Sequence, residues 1–263
     1  MRKKSLTGKK ALVTGGTHGI GRSISISLAK EGVGVAFLSR SDDNLLQQST
    51  LHKSINSNFI SLKCDVLDPK QIIRTWETIE EKWGGIDILI NNVGGGGRWG
   101  FESVIDTPLS TWSEVLQKNL GAAIQFTNLA IPKMLQKNWG RIITVSSIYG
   151  NYIGGRPWYN LAKSAQNVLM KNLAKQKVYA RKGITFNSVA PGAILIPDTG
   201  WAKLQAHDQI EYDKFVETLP LGRLGTPEEI ANLVIFLASE KANYINGASI
   251  TIDGGESILL GEL

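Results

Sequence analysis

The 263-residue chain contains little cysteine and histidine, and what is scarce excludes several classes of protein. Cys64 is the single cysteine of the sequence, so no disulfide can form within one chain, and we expect a reducing compartment, the cytoplasm. The three histidines, His18, His52 and His207, do not have the spacing of metal ligands. We therefore expect neither a disulfide scaffold nor a metal site.

Long apolar runs are missing as well. No stretch of about eighteen uncharged apolar residues occurs, so we expect no membrane span. The basic start, MRKKSLTGKK, is not followed by an apolar segment, and we predict no signal peptide. Hydrophobic residues make up 42% of the chain and charged residues 20%, which is typical of a globular protein.

Basic residues outnumber acidic ones. The formal net charge is +6 and the pI is about 9.3. A positive surface favours anionic partners such as nucleotides or an acyl carrier protein. No nucleic-acid-binding motif accompanies the charge, and we predict no nucleic-acid partner.

Short apolar runs rich in β-branched residues alternate with helical patterns. Strands of a parallel sheet covered on both faces have this continuous apolar character. Asp68 with Pro69, and Thr226 with Glu229, are typical of helix starts. The sequence predicts one α/β domain over residues 1–263, a doubly wound Rossmann fold of about seven parallel strands with helices on both faces. The predicted strands are 11–14, 33–38, 58–62, 86–90, 141–145, 184–189 and 249–252.

The helix that ends near Met134 is apolar over more than one stripe. Such a helix is usually buried on two sides, and a second subunit can supply the second side. We therefore predict a homo-oligomer, a homodimer or homotetramer. The apolar positions are Trp112, Val115, Leu120, Ile124, Phe126, Leu129 and Ile131.

The first predicted strand continues into TGGTHGIG, residues 14–21, and a helical pattern follows. Glycines allow a tight turn close to a pyrophosphate, and the helix N-terminus offers free N–H groups. The glycine spacing departs from GxGxxG, and a P-loop would need lysine at the position of Arg22. A phosphate-binding turn is favoured, and a glycine-rich turn without a ligand is the alternative.

The stretch RPWYNLAK places Tyr159 and Lys163 four residues apart. Four residues are about one helical turn, so both side chains leave the same face of a helix. Such a pair also arises by chance on solvated helices. Its chemistry is nevertheless specific, because an ammonium within about 4–6 Å lowers the pKa of a phenol and so prepares a general acid or base.

TGGTHGIG and YNLAK together resemble the motifs of the short-chain dehydrogenase/reductase family. Further landmarks follow in order: NNVG at 91–94, QKNLGA around Asn119, VSSIYG, NSVAPG at 187–192 and INGASITIDGG. The resemblance covers essentially the whole chain. It implies an oxidoreductase that uses a nicotinamide cofactor on a carbonyl/alcohol pair.

The resemblance implies roles for four residues. Tyr159 is the acid/base, Lys163 binds the nicotinamide ribose, Ser147 polarises the substrate oxygen, and Asn119 holds a water that links Lys163 to solvent. Ser146 is an alternative to Ser147, because it lies at the more usual spacing of thirteen residues before Tyr159. We favour Ser147 for its position in the SSxxG motif.

The second predicted strand ends in Ser39 and Arg40, where NAD enzymes of this kind usually carry a carboxylate. A guanidinium suits the extra 2′-phosphate of NADP, so we expect NADP(H) rather than NAD(H). The cofactor contacts implied by the resemblance are Gly15, Thr17, His18, Gly19, Ile20, Gly21, Ser39, Arg40, Asp65, Val66, Asn92, Gly94, Tyr159, Lys163, Pro191 and Gly192.

The C-terminal part resembles 3-oxoacyl-(acyl-carrier-protein) reductases, although a further arginine of those enzymes falls at Asn138, beside Lys137. We expect a ketone or acyl thioester substrate, with an acyl carrier protein as a partner. The alternatives are a sugar, polyol, steroid or secondary-metabolite dehydrogenase and, remotely, an NADP sensor without turnover. Residues 195–217 resemble the substrate lid, Trp158 either lines the substrate pocket or packs in the core, and the loop Gly95–Trp99 has no assigned role.

Overall fold

The computed structural model describes residues 6–96, 99–101 and 103–257. Within these ranges seven strands form one all-parallel sheet in the order β3-β2-β1-β4-β5-β6-β7. The strands are β1 (Lys10–Thr14), β2 (Gly34–Ser39), β3 (Phe59–Lys63), β4 (Ile88–Asn91), β5 (Gly140–Val145), β6 (Ile184–Pro191) and β7 (Ser249–Ile252). The predicted doubly wound sheet is confirmed.

Helices follow the strands as predicted, and two of them begin at the predicted caps. Asp68 accepts a hydrogen bond from the Lys70 backbone, and Thr226 and Glu229 form a reciprocal capping box. The helices are α1 (Gly19–Lys30), α2 (Asp42–Ile55), α3 (Pro69–Trp83), α4 (Leu109–Leu116), α5 (Ala122–Lys137), α6 (Pro157–Ala174), α7 (Lys177–Ala180), α8 (Gly200–His207), α9 (Gln209–Thr218) and α10 (Pro227–Ala238). A π-helical turn, Gln117–Gly121, joins α4 to α5.

Apolar side chains fill both faces of the sheet. Ala11 and Val13 of β1 point into a cluster with α1 and α10, while Leu12 points into a cluster with α3 and α5. Successive residues of a strand face opposite sides, so a strand covered on both sides must be apolar throughout. This is why the strands are recognisable in the sequence as uninterrupted apolar runs.

The helical segment that was expected to be covered on two sides is covered on one side by its own chain. Phe126 of α5 is fully buried, whereas Ile124 is 36% exposed. Leu161 and Val168 of α6 are also exposed. Oligomerisation therefore stays a prediction. Across the described residues, none of the helices combines the length and apolar character needed to cross a membrane.

Candidate active site

The loop between β1 and α1 needs glycine both for its backbone conformation and for its close packing. Gly15 and Gly19 have φ of 64° and 51°, in the left-handed region that favours glycine. A Cβ atom at Gly21 would overlap the Gly15 carbonyl oxygen and the Asn92 side chain. The Asn92 amide donates to the carbonyls of Thr14 (2.9 Å) and Gly15 (3.2 Å). The side chain of Asn92 thus fixes the turn that leads into the N-terminus of α1.

An open cleft of about 350 Å³ lies beside this loop, at the carboxyl ends of β1 to β4. This is the edge at which doubly wound sheets bind nucleotides. Nine predicted cofactor residues line the cleft: Gly15, Thr17, His18, Ser39, Arg40, Asp65, Val66, Asn92 and Gly94. Six further lining residues were not identified from the sequence: Leu38, Asn44, Cys64, Leu67, Val93 and Lys118.

One end of the cleft carries charged side chains. A guanidinium nitrogen of Arg40 lies 3.9 Å from a carboxylate oxygen of Asp65, and both side chains are accessible. Asp42, in the first turn of α2, instead forms an ion pair with Lys63. The glycine cradle and the accessible Arg40 at the end of β2 fit a dinucleotide whose pyrophosphate lies at the start of α1.

Ser147 and Ser146 have different partners. The hydroxyl of Ser147 lies near enough to the phenol of Tyr159 to lower its pKa, and it accepts a hydrogen bond from the Tyr149 backbone at 3.2 Å. The hydroxyl of Ser146 is buried and donates to the Lys163 carbonyl at 3.1 Å. The structure therefore brings Ser147 to Tyr159, while Ser146 holds the α6 backbone.

Burial controls the ionisation of the Tyr159–Lys163 pair. The Lys163 ammonium lies 5.6 Å from the centre of the Tyr159 ring and donates to the Val145 carbonyl at 3.0 Å. Burial lowers the pKa of Lys163 to about 7. Burial also raises the pKa of Tyr159 to about 12, against a smaller opposing effect of the hydrogen bond from Ser147. The pKa of Tyr159 is therefore raised and not lowered as the spacing predicted, because removal from water disfavours the charged form of both groups and is the largest effect on each.

Asn119 lies in the π-helical turn and is fully buried. Its amide donates to the carbonyls of Gly95 and Val115, each at 2.8 Å. A Cβ atom at Gly94 would lie 2.7 Å from the Asn119 side-chain oxygen and 2.9 Å from the Lys163 nitrogen. Asn119 and Lys163 therefore meet across Gly94. Single-turn π-helices often occur at functional sites, but sequence patterns do not reveal them.

The loop after β4 is fastened to the start of α6. Arg156 donates to the carbonyls of Trp99, Gly100 and Phe101 at 3.2, 2.6 and 2.6 Å. The Trp158 indole donates to the Gly96 carbonyl at 3.2 Å and is fully buried. Of the two predictions for Trp158, the structure supports packing in the core. Residues 97 and 98 of the unassigned loop lie outside the described residues.

The predicted lid segment, residues 195–217, contains α8 and most of α9 and has a small apolar cluster of its own. The rings of Trp201 and Phe215 stack at a centroid distance of 4.0 Å. The Ile196 side chain reaches within 3.1 Å of the position that a Cβ atom would take at Gly19. The segment therefore extends over the start of α1. Pro191 ends β6, and Gly192 is backed by the side chain of Glu256.

The fold and this arrangement define a Rossmann oxidoreductase with a serine, a tyrosine and a lysine beside a nucleotide cleft. A family model described as enoyl-(acyl carrier protein) reductase matches residues 15–257. The 3-oxoacyl-(acyl-carrier-protein) reductase of Buchnera aphidicola is 34% identical over 94% of this chain and 96% of its own length. The Escherichia coli enzyme of the same name is also 34% identical, over 94% of this chain and 97% of its own length.

A solved structure is also similar to this chain. The L-sorbose reductase of Gluconobacter frateurii, solved with NADPH and L-sorbose, has a TM-score of 0.88 and 29% identity, covering 98% of this chain and all of its own. This chain belongs to the short-chain dehydrogenase/reductase family. It is a 3-oxoacyl-(acyl-carrier-protein) reductase-like oxidoreductase that acts on a CH–OH/C=O pair and binds an NAD(P) cofactor.

Proposed function

We propose that this protein reduces a ketone or a 3-oxoacyl thioester to the alcohol, with NADP(H) as the cofactor. The observation that carries the proposal is that Ser147 and Lys163 both lie beside Tyr159, with the Lys163 nitrogen 5.6 Å from the centre of the Tyr159 ring, in a protein whose nucleotide cleft contains Arg40. When bound, the nicotinamide supplies the hydride. A non-catalytic sensor has no need of this complete set.

Tyr159 is the proton donor in the proposed reaction. With its pKa raised to about 12, the phenol is protonated at neutral pH and ready to give its proton to the substrate oxygen. Ser147, whose hydroxyl lies beside the phenol, is the proposed hydrogen-bond donor that holds the substrate oxygen there. Lys163 carries positive charge below its pKa of about 7 and then stabilises the phenolate that remains. Asn119 lies beside Lys163 at Gly94 and is the proposed holder of the water that connects Lys163 to solvent.

The preference for NADP(H) over NAD(H) is proposed from the end of β2. Arg40 is accessible in the cleft and offers a fork of donors that suits a phosphate monoester. The structural neighbour from Gluconobacter frateurii was solved with NADPH, which supports the same cofactor.

Two substrate classes are supported by different observations. The curated relatives at 34% identity favour a 3-oxoacyl group carried on an acyl carrier protein. The structural neighbour solved with L-sorbose favours a sugar or polyol ketone. Lys137, beside the position where the carrier-protein reductases have a further arginine, pairs with Asp87 at 2.8 Å. Its charge is therefore already engaged, which weakens the case for docking an acidic carrier protein at this point.

A substrate panel tests the proposal. Purified protein is given NADPH with 3-oxoacyl thioesters, free or carried on an acyl carrier protein, with ketoses and with simple cyclic ketones. Oxidation of NADPH by one class identifies the substrate. Tight binding of NADPH without oxidation across the panel would instead identify a sensor.

We also propose that copies of the chain assemble as a homodimer or homotetramer in the cytoplasm. Ile124, Leu161 and Val168 expose apolar surface on α5 and α6, at 36%, 50% and 58% of each residue. Cys64 is a buried free thiol, as expected in a reducing compartment. Light scattering of the purified protein measures the assembly.

A further inference from the structure

Lys118 lies in the wall of the nucleotide cleft, although the motif around Asn119 assigns it no role. The residue belongs to the π-helical turn and directly precedes Asn119. Its side chain lines the cleft together with Arg40 and Asp65. The π turn that buries Asn119 thus also brings a lysine to the nucleotide site.

The ammonium of Lys118 is held in a defined place. It lies 4.2 Å from the centre of the Trp99 ring, a cation–π distance, and 3.9 Å from the position of a Cβ atom at Gly95. Burial is the main cause that lowers the pKa of Lys118, and repulsion by Arg40 lowers it further, while attraction by Glu114 and Asp65 raises it. Arg40, Asp65 and Lys118 therefore line one cleft, and their charges affect one another.

The net charge of the cleft lining follows from its charged residues. Among the described residues that line the cleft, Arg40 and Lys118 carry positive charge and Asp65 carries negative charge. The carboxylate of Asp65 lies 3.9 Å from Arg40 and offsets its charge. Lys118 leaves the lining of the cleft net positive, whereas Arg40 and Asp65 alone would leave it close to neutral.

We infer that Lys118 acts with Arg40 as a cofactor-selecting residue that favours NADP(H) by attracting its 2′-phosphate. A phosphate monoester brings between one and two negative charges at neutral pH, and the hydroxyl of NAD(H) brings none. A nearby cation therefore stabilises bound NADP(H) more than bound NAD(H). The inference rests on the proposed preference for NADP(H) and adds a residue from a different part of the chain.

The test compares Lys118→Gln with Lys118→Arg in direct binding of NADPH and NADH to the nucleotide-free protein, by fluorescence titration at low and high salt. We expect Lys118→Gln to weaken NADPH binding about 5- to 20-fold and NADH binding less than about twofold. The difference between the two nucleotides shrinks at high salt, because salt screens the attraction between Lys118 and the phosphate. Lys118→Arg keeps the charge and retains the preference.

Lys53→Gln is the matched control, because it removes one positive charge from an exposed position in the last turn of α2. It is expected to leave both affinities unchanged. Lys118→Met supplies the same readout if Lys118→Gln fails to fold. Equal weakening of both nucleotides, or unchanged NADPH binding, would overturn the role of Lys118. A wild-type protein without preference for NADPH would refute the proposed cofactor choice itself, so the two failures are distinguishable.

Discussion

The molecule has a nucleotide half, which is the cleft at the ends of β1 to β4, and a proposed substrate half, which is the region around Tyr159 with the loop after β4; the two are held together differently. The nucleotide cleft is formed by the ends of four neighbouring strands and by a glycine loop whose critical contacts lie in short motifs. The proposed substrate side is held by hydrogen bonds between residues that are far apart in the sequence, such as Arg156 with Trp99 and Glu256 with Ala193. Short motifs therefore indicate a nucleotide site, whereas the proposed substrate side depends on contacts between distant segments that no short motif contains.

Removal of the Tyr159 hydroxyl should separate the two halves most clearly. We expect Tyr159→Phe to lower turnover by about 10²–10⁴-fold, because the proton donor is lost, while NADPH affinity stays within about twofold. Steady-state rates and nucleotide titration measure the two effects. Tyr244→Phe, at a fully exposed position, is the control and should change neither. Near-normal turnover of Tyr159→Phe would refute the acid role.

Exchange of the charge at the end of β2 should act on the nucleotide half alone. We expect Arg40→Asp to change the ratio of kcat/KM for NADPH over NADH by about 10- to 100-fold in favour of NADH, because a carboxylate repels the 2′-phosphate and accepts from the ribose hydroxyl. The relative rates among ketone substrates should not change. An unchanged ratio would show that Arg40 does not select between the two cofactors.

Loss of the Arg156 side chain should act mainly on the proposed substrate half. Arg156→Ala removes the bonds to three consecutive carbonyls of the loop after β4. We expect kcat/KM for the ketone to fall about tenfold through KM, since misplacement of the loop disturbs substrate positioning. NADPH affinity should fall less, about twofold, because Trp99 of the same loop contacts Lys118. Arg181→Ala, an exposed position, is the control. Equal losses in nucleotide and ketone binding would mean that the two halves are not separable.

The pH dependence should give the smallest effect. The pKa of Lys163 is lowered to about 7, so its positive charge is present below that pH and lost above it. We expect kcat/KM for ketone reduction to fall several-fold between pH 6 and pH 8, because the phenolate of Tyr159 loses its stabilising cation. A rate that stays flat over this range, measured with saturating NADPH, would show that the ionisation of Lys163 does not limit the reaction.

The substrate side also shows what residue spacing leaves undecided. Ser146 and Ser147 are adjacent, and their spacing to Tyr159 differs by one residue, so the sequence alone left both open. In the structure one hydroxyl meets Tyr159 and the other meets the backbone of α6. Neighbouring residues at a strand end point to different sides, and only the position of the packed helix shows which side holds the tyrosine.

The sequence by itself determined the features that depend on near neighbours along the chain. Apolar runs specify strands because both faces of this sheet are covered, the caps at Asp68 and Thr226 specify helix starts, and a spacing of four places Tyr159 and Lys163 on one face.

Only the tertiary structure decided the ionisation of Tyr159 and Lys163 and the position of Lys118 in the cleft. Both depend on which distant segments exclude water and which charges they bring near, and those distances exist only in the folded chain.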